Sequence, residues 1–201
     1  MKRLKIAVLL LVFLVPCLFC PVNNALASPV QDQLKITIDN ILEILRDPSF
    51  KGDEKKIERR ASLSKVIHKR FSFAKMSQLS LARHWKKRSD EEKRAFIVLF
   101  GQLLEDTYVS KIETYTDEKV IYVKEFKKKN KAMVYTKVVT QTIEIPIDYR
   151  LYKTKSGEWM VYDLVIEGVS LVGNYRSQFD QIMQRDSYEK LMENLKKKLD
   201  K

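Results

Sequence analysis

Ile143-Glu144-Ile145-Pro146-Ile147-Asp148-Tyr149-Arg150-Leu151-Tyr152 places an apolar side chain at every second position from Ile143 to Leu151. Successive side chains of a strand point to opposite sides, so Ile143, Ile145, Ile147, Tyr149 and Leu151 share one face. Glu144, Asp148 and Arg150 take the other. A strand with one oily and one wet face belongs to an antiparallel sheet covered on one side only. Working outward, residues 120–126, 132–139 and 159–166 are equally rich in β-branched and aromatic side chains. The breaks at 127–131, 140–142 and 155–157 are too short for a parallel crossover. Four strands in an antiparallel meander are the expectation.

Before residue 119 the period is helical. Leu34, Ile38, Ile41, Leu42 and Leu45 recur at helix spacing until Asp47-Pro48 stops them, with Ser28-Pro29 as the start signal. A more polar helix is expected from Asp53 to His68 with Ile57, Ala61, Ser64 and Ile67 inward, and Ser72 caps a short one carrying Phe73 and Met76. Ser89-Asp90-Glu91-Glu92 has the capping-box spacing and opens a helix to about Tyr115. Its face carries Phe96, Phe100, Leu103, Leu104, Tyr108 and Ile112. After Gly168, read as a strand-to-helix exit, Asn174 is the expected cap of a helix with Tyr175, Phe179, Ile182 and Met183 inward. Leu191, Leu195 and Leu199 mark a last amphipathic helix. The fold class is α+β, a helical layer on one face of a four-stranded antiparallel meander.

The N-terminus has the tripartite form of a secretory signal. Lys2, Arg3 and Lys5 precede an apolar run over residues 6–15, Pro16 breaks it, and Ala25-Leu26-Ala27 supplies the small residues of a cleavage site. Cys17 and Cys20 lack the small preceding residue of a lipidated cysteine. Cleavage is expected after Ala27, leaving residues 28–201 as one exported domain without cysteine. The signal takes three positive charges from the formal +12. Export removes nucleic acid as a counterpart of the remaining charge, leaving anionic membrane surfaces or acidic proteins on one reading and plain solubility on the other. The run Lys127-Lys128-Lys129-Asn130-Lys131 has the same two readings, a solvated loop or a docking element.

The segment Asp163-Leu164-Val165-Ile166-Glu167-Gly168-Val169-Ser170-Leu171-Val172, with Asn174-Tyr175-Arg176 and Phe179 after it, resembles the C-terminal signature of the MlaC family. These are also known as the toluene-tolerance periplasmic phospholipid-binding proteins. Trp159, Tyr162 and Asp163 fit the family's Trp-x-x-Tyr-Asp pattern, and Asp148-Tyr149-Arg150-Leu151 fits its Tyr-Arg strand. Phe73, Met76, Leu81 and Trp85 match its helical half. Members often have Gly where this chain has Ala82; alanine is tolerated in a helix, which is the expectation there. The resemblance implies an apolar cavity between sheet and helices that holds phospholipid acyl chains. It also implies a periplasmic shuttle between an inner-membrane ABC lipid transporter complex and an outer-membrane lipoprotein complex, with transient membrane-proximal docking. Such a carrier maintains outer-membrane lipid asymmetry, and the phospholipid is cargo; no cofactor is implied. On that resemblance Phe96, Phe100, Leu104, Ile145, Ile147, Tyr149, Val161 and Val165 are the expected pocket lining. A packed core uses the same residues at the same spacing.

Catalytic patterns are missing. His68 and His84 sit in no metal-ligand spacing, and the sequence contains neither a glycine-rich phosphate loop nor a Gly-x-Ser-x-Gly elbow. The expectation is a binding protein, not an enzyme. The alternative is a periplasmic adaptor with a filled core that binds only proteins.

Overall fold

The computed structural model describes residues 29–114 and 118–200, so the expected signal, its cleavage site and Ser28 lie outside the described residues. Helix α1 (Pro29–Arg46) ends where Asp47, the cap of a short 3-10 turn, accepts from the Ser49 amide. Helices α2 (Lys56–Arg70) and α3 (Phe73–Leu81) follow, then a 3-10 turn and α4 (Asp90–Ile112). The capping box at the start of α4 is formed: Ser89 Oγ accepts from the Glu92 amide, and Glu92 accepts from the Ser89 amide.

The inner side of α2 is the expected one only in part, with Ile67 packed inward as expected. Ile57 is exposed and Ala61 faces solvent, whereas Leu63 is fully buried. Arg59 and Arg60 decide this rotation, because both reach Glu113 at the end of α4 with N–O distances of 2.9 Å. Burial pushes the Glu113 carboxyl up, and the two guanidiniums overcome it, holding the group below its ordinary value.

The sheet has five strands, not four: β1 (Lys119–Lys128), β2 (Lys131–Val139), β3 (Glu144–Lys153), β4 (Trp159–Ile166) and β5 (Val169–Ser170), antiparallel in sequence order. The fifth strand exists because Glu167 and Gly168 both take the left-handed conformation, at φ 49° and 82°. That pair makes the tight hairpin turn whose twist suits adjoining strands, and Ile166 then pairs with Val169. Gly168 is therefore a hairpin glycine. Helix α5 (Leu171–Arg185) begins before Asn174 and is capped by Ser170, whose Oγ accepts from the Gly173 amide at 2.9 Å. The same hydroxyl donates to Asp163 Oδ2 at 2.6 Å, and the other Asp163 oxygen accepts from the Val172 amide. Asp163 also pairs with Arg150, while Arg176 donates to the Leu79 carbonyl. Helix α6 (Tyr188–Leu199) completes the chain.

Two cores result. One lies among α3, α4, α5 and α6 and is centred on Phe96, Phe100, Tyr175 and Phe179. The other lies between the sheet and helices α1 and α2, around Leu34, Leu63, Val134, Leu151 and Val161. Arg70 pins the second core, donating to the Trp159 carbonyl at 2.6 Å and to Gln33 Oε1 at 2.9 Å.

Ala82 ends α3 at φ 47°, so the expected continuing helix breaks there. That conformation suits glycine and strains an alanine. Ala82→Gly is expected to raise the unfolding free energy by roughly 1 kcal/mol, the relieved strain exceeding the added chain entropy. A higher urea midpoint at unchanged slope is the readout.

Candidate functional site: an apolar pocket between sheet and helices

The inner face of the sheet is filled at one end only. Where Ala132, Leu151 and Val161 lie, Val30 and Leu34 from α1 and Leu63 from α2 close over them. Toward the other end a pocket of about 300 Å³ remains. Its floor is Val120, Val138, Ile145, Ile147 and Tyr149, with Leu164 and Ile166 beside them. Ile38, Ile41, Leu42 and Leu45 of α1 form one wall, and Leu104, Tyr108, Val109 and Ile112 of α4 form another. Phe71, Phe73 and Met76 close the inner end.

Of the expected lining, Leu104, Ile145, Ile147 and Tyr149 are at the pocket. Phe96 and Phe100 are not: both are fully buried in the helical core, stacked at 5.4 Å, with Phe100 edge-on to Phe179 at 5.2 Å. Helix α4 carries apolar residues on more than one face because its first half meets α5 and α6 and its second half meets the pocket. Val161 shares the pocket's face of the sheet but lies in the filled end, opposite Leu151. Val165 is on the wrong face altogether. Arg150 pairs with Asp163 and Leu151 with Val161, so Tyr162 is an extra residue in β4. Such a bulge exchanges the two faces of the strand beyond it. Leu164 and Ile166, opposite Tyr149 and Ile147, therefore join the pocket, and Val165 opposes Asp148.

Few polar groups reach the pocket. Glu105, Lys111, Glu118 and Glu167 contribute to its boundary, with Glu105 3.1 Å from His68 Nε2. Burial raises the pKa of Tyr108 in its wall, so that phenol stays neutral. Neighbouring Tyr122 is pushed up further by burial, and its buried hydroxyl has no hydrogen-bond partner among the described residues. Within the described residues no cluster of His, Cys, Asp and Glu has the arrangement of a metal site. The arrangement can shelter hydrocarbon, and among the described residues that line it no nucleophile is paired with a base.

Residues 35–197 match the profile of the MlaC protein family. The chain belongs to the MlaC family. Over 97 residues it is 31% identical to the intermembrane phospholipid transport system binding protein MlaC of Haemophilus influenzae. That match takes in 46% of this chain and 45% of the Haemophilus protein, about half the length of each. Among solved structures, the phospholipid-binding protein of Ralstonia solanacearum, determined in complex with a phospholipid, superposes with a TM-score of 0.78. The likeness covers 86% of this chain and 97% of that one at 24% identity, and it establishes a shared fold.

Proposed function

We propose that this protein is a periplasmic phospholipid carrier that holds acyl chains in the pocket between α1, α4 and the sheet. It would exchange cargo between an outer-membrane lipoprotein complex and an inner-membrane ABC lipid transporter complex. The observation that carries the proposal is the apolar pocket itself, in a chain of the MlaC family. Exposing hydrocarbon to water costs about 0.8 kcal/mol per CH₂. Two tails of about 15 such groups therefore cost on the order of 24 kcal/mol. A pocket as apolar as the bilayer interior removes most of that penalty, so exchange with a membrane complex is nearly balanced. The carrier needs neither nucleotide nor catalytic group, and direction comes from what receives it at each membrane.

At about 300 Å³ the pocket is at the lower end of small-molecule sites. A two-tailed lipid needs more room, so α1 and α4 must part from the floor as it enters. Ile145, Ile147, Tyr149 and Leu104, with Leu164 and Ile166, are the proposed acyl contacts. The test is uptake: delipidated protein incubated with vesicles and separated from them is expected to emerge with bound phospholipid. An adaptor with a filled core emerges without any.

A further inference from the structure

The β1–β2 hairpin ends in a two-residue turn, because Lys128 pairs with Lys131 and leaves Lys129 and Asn130 between them. Lys129 is left-handed, at φ 53°, while Asn130 is not among the residues of positive φ. Turns of that form favour glycine at the first position. A strained lysine occupies it here. The ion pairs across the sheet are Lys137–Glu144 and Arg150–Asp163, and among the described residues none engages Lys127, Lys128, Lys129 or Lys131. Four lysines thus share one tip with no ion pair to a carboxylate among the described residues.

Beside them the otherwise polar outer face of the sheet carries apolar side chains. Phe126 is 61% exposed, and it shares a shallow groove with Met133, Tyr162 and Arg150. An acidic protein would satisfy the lysines but has no use for a bare phenyl ring at their base. A bilayer with anionic head groups satisfies both, since basic side chains meet the phosphates while an aromatic ring settles at the acyl boundary.

We propose that this hairpin tip docks on an anionic phospholipid membrane, Lys127, Lys128, Lys129 and Lys131 meeting head groups and Phe126 entering beneath them. The pocket lies at the other end of the same strands, at Val138, Ile145 and Ile166. Docking by the tip therefore holds the carrier at a membrane with its pocket turned from that surface toward a receiving complex. The proposal rests on the carrier reading for its setting, but its test needs no lipid uptake.

The experiment is flotation of the secreted chain with vesicles containing phosphatidylglycerol, against vesicles of phosphatidylcholine alone. The chain is expected to float with the former at low salt and not with the latter. Each lysine near such a surface contributes about fivefold in affinity, so K127S/K128S/K129S should weaken binding by tenfold or more. Phe126→Ser should weaken it with no change of charge. The variant K196S/K197S/K198S, equal in charge loss but at the end of α6, should bind as the parent does. Absence of flotation, equal losses in the α6 control, or unchanged binding by Phe126→Ser overturns the proposal. Retention of the tip on immobilised polyglutamate without vesicle binding also overturns it and assigns the tip to an acidic protein. Vesicle-derived phospholipid carried by the chain should be unchanged in the tip variants; its absence from the parent contradicts the carrier reading and leaves docking to be judged by flotation.

Discussion

Ile147→Trp is expected to give a folded protein that holds almost no phospholipid. Ile147 is on the pocket floor between Thr136 and Ile166, and it is half-buried because empty space, not another side chain, stands over it. An indole placed there extends into the volume where acyl chains would lie. Lipid content per chain should fall by about tenfold or more, which corresponds to about 1.4 kcal/mol or more of lost affinity. Stability should change by less than the roughly 1–3 kcal/mol that the same enlargement costs a packed interior. Phospholipid phosphorus per chain and the urea midpoint, measured on one preparation, separate these outcomes. A large loss of stability with normal lipid content means that the space above Ile147 is filled.

Phe100→Ala should show the opposite pattern. The ring is fully buried and contacts Phe96, Tyr175 and Phe179, with centroids at 5.4, 4.9 and 5.2 Å. Removing it leaves a cavity in the helical core, at a cost of about 3–5 kcal/mol. The pocket floor and α1 wall are untouched, so the molecules that remain folded should carry the parental amount of phospholipid. Chemical denaturation gives the first quantity, and lipid analysis of the folded fraction gives the second. Lipid lost in proportion to the missing ring, at undiminished stability, would return Phe100 to the acyl site.

The contrast between these two residues marks how far the sequence could be read. Alternation over residues 143–151 and helical spacing over residues 34–45 were each sufficient to assign a face, and Ile145, Ile147 and Tyr149 of the strand are on the pocket floor. Periodicity reports which side of an element is apolar. It does not report what stands opposite. Phe96 and Leu104 belong to the same apolar run of α4 and to the same helical core, yet only Leu104 meets the pocket, because it stands where the helix leaves that core for the one that holds Val109 and Ile112. In β4 buried and half-buried residues alternate without interruption from Trp159 to Ile166. The extra residue at Tyr162 nevertheless exchanges the faces, so alternation points to Val165 where Leu164 and Ile166 belong. No spacing signals such a bulge before the strands are paired. The fifth strand was hidden for a related reason: Glu167 adopts a left-handed conformation that its side chain does not advertise. The α1 wall was legible as an apolar stripe, and only its position over the open end of the sheet gives Ile38, Ile41, Leu42 and Leu45 a role beyond packing.

The most direct measurement is solvent extraction of the protein purified from the compartment where it works, with mass spectrometry of the extract against the amount of chain. Phospholipid in stoichiometric amount, with its tails shielded from aqueous lipases until the protein unfolds, is the predicted result. An extract free of phospholipid, from protein that also emerges empty after contact with vesicles, would contradict it.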